Sequence, residues 1–166
     1  MSSMPVDPTK EALLVCLEIQ RAHVLGSVEG LDAAQMRRPT LPTNWNCVGM
    51  VRHLAIDVER LWFRRTVAGE QLDDPSEAAP AWEVGVDTTP DEVVALYRAE
   101  VERSNAIIEA TPLEAPPKHW EEHFGSWRLP DLRAIMLHVI AETACHAGHL
   151  DAARELIDGG TWLILD

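Results

Sequence analysis

His138, Glu142, His146 and His149 share one short stretch near the end of a 166-residue chain. At about 100° per residue on a helix they fall at roughly 0°, 40°, 80° and 20°, so all four project from one narrow face. Glu142 and His146 are four apart, the spacing at which side chains on consecutive turns can grip one ion. Imidazole nitrogen and carboxylate oxygen suit zinc, with nickel, iron or manganese as the other divalent choices. A plain packing role competes, because a single helical histidine is commonly a core or surface residue. Four ionisable groups buried together without partners would instead be costly. A metal needs a further ligand from elsewhere, and His53, His23, His119 and His123 are the candidates. On a helical wheel His53 stands roughly 150° from Val48, Val51 and Val58. It therefore faces water or lines a polar groove, and the wheel by itself favours water.

The elements that must position these groups are read from periodicity and stop signals. Asp7-Pro8 pairs an N-cap with a first-turn proline, Leu14, Leu17, Val24, Leu25 and Val28 follow near a 3.6-residue period, and Gly30 ends the run. Residues 32–45 read as a connection with a short turn over 32–36. Asn46 caps a second helix with Val48, Val51, Ala55, Val58 and Trp62 on one side, fading at Gly69. A loop over 70–88 holds Asp73, Asp74, Pro75 and Pro80. Thr89-Pro90-Asp91-Glu92 combines an N-cap, a first-turn proline and a capping-box glutamate, and predicts a third helix with a stripe of Val94, Tyr97, Val101 and Ile108. A second loop, 111–129, precedes a last helix that begins near Pro130-Asp131 and ends at Gly159-Gly160. No segment reads as a strand. The expectation is one all-α domain over 1–166, a four-helix bundle with long crossover loops.

Composition narrows the function classes. Lys and Arg number 14 against 27 Asp and Glu, a formal charge of −13. That charge repels phosphate backbones and anionic lipid, so no nucleic acid and no membrane is expected as partner. No apolar run reaches the length of a span, and the opening residues lack the pattern of a secretory leader. Cys16, Cys47 and Cys145 form no CxxC pair, which argues against a disulfide scaffold and for the cytoplasm.

Two blocks carry a family resemblance. Asn44-Trp-Asn-Cys-Val-Gly-Met-Val-Arg-His53-Leu-Ala, with Glu59-Arg-Leu-Trp-Phe63, resembles the second helix of the DinB-like four-helix metalloproteins. Leu137-His-Val-Ile-Ala-Glu142-Thr-Ala-Cys-His146-Ala-Gly-His149-Leu-Asp151 resembles their last helix, closest to an uncharacterised subfamily related to mycothiol-dependent enzymes. The resemblance implies a divalent metal on His53, Glu142 and His146. Glu142 stands where the family usually has histidine, as in the mycothiol-dependent maleylpyruvate isomerase type. His149, one turn on, is implied as a fourth ligand or as a group that orients the others. Cys145 departs from the larger polar residue expected there, which argues against an anion-binding role, and reads as a small buried thiol.

Three ligands would leave coordination positions open, as catalytic sites do. The implied activity is thiol S-transfer, or isomerisation through a thiol adduct, with a low-molecular-weight thiol such as mycothiol and a small electrophile as partners, in detoxification or stress response. A metal-dependent hydrolase with Glu142 or Asp57 as base, or a non-catalytic metal-binding bundle, are the alternatives. His119, Trp120, His123 and Trp127 of loop 111–129 either form a lid or anchor the loop. Trp45, Trp62 and Trp162 read as packing or homodimer contacts.

Overall fold

The computed structural model describes residues 7–72 and 80–162, and every regular element among them is helical. Helix α1 (Pro8–Val28) starts where Asp7 Oδ1 accepts from the Thr9 and Lys10 N–H groups, at 2.8 and 3.4 Å. Asp32 and Gln35 make a reciprocal capping box for the short helix α2 (Ala33–Arg37). Asn46 caps α3 (Cys47–His53) by accepting from Gly49 N–H at 2.9 Å. This helix runs without a break into a π-helical segment, Leu54–Val67. Helix α4 (Pro90–Ala110) opens at the Thr89–Glu92 capping box, and α5 (Leu132–Asp158) opens at Asp131 and closes on Gly159 with φ +75°. Such caps are worth about 1 kcal/mol each. They fix where the helices begin, so the capping signals read from the sequence land on the observed starts. Asp73, Asp74 and Pro75 of the loop between the π segment and α4 lie outside the described residues.

The expected four-helix bundle is present as four long helical rods, with α2 as an added turn between the first two. Helix α1 packs along α5, although more than a hundred residues separate them, and the α3–π rod packs against α4 and α5. Between the rods lies a core that includes Leu17, Val24, Leu54, Phe63, Ile108, Ile135 and Leu150, each fully buried. On α4 the buried face is Val93, Tyr97, Glu100, Ser104 and Ile108, with Val94 and Val101 only partly buried against it. Two members of that face are polar, which is why an apolar stripe drawn through Val94 and Val101 misplaces it.

Glu100 belongs to one of two neighbouring buried ionic clusters that together tie three rods. Arg21 of α1 donates through Nε and Nη2 to the two carboxylate oxygens of Glu59, at 2.7 and 2.6 Å. Its Nη1 donates to Glu18 and Asn105. Glu100 accepts from Arg60 at 2.9 Å and from Arg64 at 3.1 Å. Burial alone would raise the Glu100 pKa, but the Arg60 and Arg64 hydrogen bonds outweigh it and hold the carboxyl below its ordinary value.

Candidate metal centre

The α3–π rod is buried on most sides: Cys47, Val48, Gly49, Met50, Val51, Arg52, Leu54, Ala55 and Ile56 are all buried. A wheel that sets one apolar stripe against a wet side does not describe such a rod, and His53 does not face water. Its side chain is 13% exposed, with the ring stacked on Trp82 at 4.1 Å between centroids and 17° between planes. The polar-groove alternative is the one observed.

Trp82 reaches that place for local reasons. Arg52, the residue before His53, donates through Nη1 to the carbonyls of Pro80 and Ala81, at 3.1 and 2.9 Å. Gly49, one turn earlier, lets the Trp82 carbonyl close on the helix: a Cβ at Gly49 would stand 2.6 Å from that oxygen. The sequence carries no signal for Trp82, because a lone indole in a proline-containing loop has no spacing to read.

Across the groove, α5 delivers Glu142 and His146. One ligand atom from each of His53, Glu142 and His146 lies within 4.8 Å of the others, a spacing at which the three could hold a metal ion. His146 Nε2 sits 3.1 Å from Glu142 Oε1, and its ring meets His53 edge-on at 5.0 Å. Asp57, one turn after His53, takes the Nδ1 proton at 2.9 Å. That bond fixes the tautomer and leaves Nε2 with a lone pair, and Nε2 is buried with no hydrogen-bond partner. An orphaned buried imidazole nitrogen facing a carboxylate and a second imidazole fits a divalent cation of the zinc type. Burial, then the nearby His53, lower the His146 pKa against the pull of Glu142, so the ring is kept in the neutral form a metal requires.

The remaining candidates separate. His149 is exposed and lies outside this group, its Nδ1 3.4 Å from His146 Nδ1 and its ring 6.2 Å from that of Trp45. His23 Nε2 pairs with Asp151 at 2.7 Å and its ring stacks on Trp162, away from the three ligands. His119 lies 3.7 Å from Glu121 in the loop after α4. His123 lines a cavity of about 540 Å³ together with Asp57, Trp62, Phe124, Trp127, His138 and Glu142. Burial lowers the His138 pKa, with Glu142 acting in the opposite sense.

Loop 111–129 is thus both an anchor and a wall. Trp62 stacks on Phe124 at 5.2 Å and meets Trp120 and Trp127 edge-on. Trp62, 3% exposed, is a packing residue that also faces the cavity. Cys145 is exposed, contrary to the buried thiol expected: it sits on the outer side of α5, one residue from His146. Cys47 is the buried thiol, its pKa pushed up to about 11 by burial.

No helix among the described residues is long and apolar enough to cross a membrane. None of the curated proteins compared with the chain matches it. A family model described as MST, mycothiol-S-transferase, matches residues 12–159, a span that holds His53, Glu142 and His146, and the chain belongs to that family.

Proposed function

We propose that this protein is a divalent-metal-dependent thiol S-transferase that joins a low-molecular-weight thiol of the mycothiol type to an electrophile in detoxification or stress response. The observation that carries the proposal is the buried, unpartnered Nε2 of His53, held toward Glu142 and His146 in a chain of the mycothiol-S-transferase family. Zinc is the proposed metal, because two imidazoles and one carboxylate suit it, with nickel, iron or manganese as substitutes. When bound, such an ion lowers the pKa of a thiol and so supplies the nucleophile at neutral pH.

The protein's own groups do the rest. Burial keeps His146 neutral, Asp57 accepts from His53 Nδ1 and leaves Nε2 facing Glu142 and His146, and Trp82 covers the His53 ring from water. Glu142 supplies a negative oxygen on the side of the aromatic cavity. A hydrolytic reaction would need a carboxylate free to activate water. Asp57 is engaged with His53, and Glu142 with His146. The three cysteines are all free, which fits a cytoplasmic setting where a thiol cosubstrate stays reduced.

Purified protein should contain one metal per chain by elemental analysis and consume mycothiol only when an electrophile is added. His146→Ala should lose both the metal and the thiol consumption while keeping its helical circular dichroism. Full thiol consumption by a metal-free His146→Ala protein would overturn the reading.

A further inference from the structure

Glu142 belongs both to the three-residue group and to the lining of the 540 Å³ cavity, so the cavity opens beside the reacting centre. Its walls are chiefly aromatic. Trp62 and Phe124 lie parallel at 5.2 Å, Trp127 stands at 90° to Trp62, and His138 closes the floor at 4.7 Å from Trp62. Rings set at right angles around one space offer both a face and an edge to a flat guest, the arrangement aromatic groups prefer. The charged groups around this space are three carboxylates, Asp57, Glu121 and Glu142, against one guanidinium, Arg65. Arg65 lies 3.6 Å from Glu121 and donates to the Leu72 carbonyl, so these two charges offset one another and Asp57 and Glu142 leave the space negative. A divalent ion held by His53, Glu142 and His146 would offset only part of that negative charge.

We infer that this cavity is the acceptor site, and that it selects uncharged, flat, apolar electrophiles such as activated aryl halides while rejecting carboxylate-bearing ones. The inference rests on the thiol-transfer reading. The thiolate sulfur forms the new C–S bond as the carbon–halogen bond breaks, the halide leaves with the bonding electron pair, and the proton of the original thiol passes to water. Phe124 and Trp127 set the acceptor's position from the loop side, and Trp62 and His138 from the helix side. An anionic acceptor meets the carboxylates of Asp57 and Glu142 at the same walls.

The test uses the full, metal-loaded chain and the unreactive m-dinitrobenzene as probe, followed by quenching of tryptophan fluorescence. Binding should saturate, and dinitrobenzoate should bind about tenfold or more weakly. Phe124→Ala should weaken the neutral probe by about tenfold and raise the KM for chlorodinitrobenzene to match, with metal content and the KM for mycothiol unchanged. Should Phe124→Ala fold poorly, Trp127→Phe serves instead, and it should remove part of the quenching amplitude. Saturable quenching that survives in metal-free His146→Ala would uphold the acceptor site even if thiol transfer failed. Equal binding of the neutral and anionic probes, or no saturable binding, would overturn the inference.

Discussion

The α3–π rod carries two polar clusters, six residues apart in sequence, that solve the problem of burial in opposite ways. At Glu59 every buried charge has a partner: Arg21 meets both carboxylate oxygens and donates through Nη1 to Glu18 and Asn105. At His53 one nitrogen is satisfied by Asp57 and the other is left buried and unpaired. Complete pairing locks three rods together and leaves no capacity to bind anything further. Incomplete pairing is locally unfavourable, and a ligand that supplies the missing partner is bound the more tightly for it. The difference separates a pairing that locks helices from one that leaves capacity for a ligand, within one stretch of helix.

The largest effect should come from breaking the complete cluster. Glu59→Ala strands the Arg21 guanidinium and should cost about 3–5 kcal/mol in denaturant unfolding, with metal content per folded chain unchanged. In the incomplete cluster, Asp57→Asn should weaken metal binding by about 10–100-fold, measured by chelator competition, while the metal-free protein keeps its stability. Gly49→Ala should act on the same cluster from outside. Its Cβ pushes the Trp82 carbonyl away, so the His53 ring loses its cover, and quenching of Trp82 fluorescence by solvent should rise.

Acid separates the two clusters again. Metal ligands must be deprotonated to bind, so acid should release the metal, and the lowered His146 pKa moves that release below the ordinary imidazole range. Glu100, whose folded pKa is lowered, contributes stability that is present above the unfolded value of 4.5 and is lost as pH falls through the folded one. In an acid titration, metal loss should therefore precede unfolding, and Glu100→Gln should flatten the stability profile below pH 4.5. The smallest effects are expected at the rims. Arg103, half-exposed beside Glu100, should cost no more than about 1 kcal/mol on change to alanine, and His149→Ala should leave metal content intact.

What the sequence discloses follows the range of the interaction that encodes it. The Thr89–Glu92 capping box and the Asp131 N-cap act within one turn, and both are legible residue by residue. So is the projection of Glu142 and His146 from one side of α5, since helical periodicity alone settles it. His53 was harder, because its surroundings come from α5 and from the Trp82 loop rather than from its own helix. The charged residues of the complete cluster were the least legible. Arg21, Glu59 and Glu100 look like members of solvated faces until the partner rods are in place. The i→i+5 bonding of the π segment likewise has no marker in the residues 54–67 that adopt it.

The loop after α4 is held at two separate points. Thr66 O accepts from the Lys118 and His119 N–H groups, while Leu132 N–H donates to Ala115 O and Arg133 N–H to Leu113 O. Between these anchors the chain from Trp120 to Pro130 lays Trp120, Phe124 and Trp127 on Trp62, and the last two line the cavity. Insertions or deletions there would resize the chamber while leaving the rods and the ligand triad untouched. The loop side of the cavity and the group of His53, Glu142 and His146 thus come from different stretches of the chain.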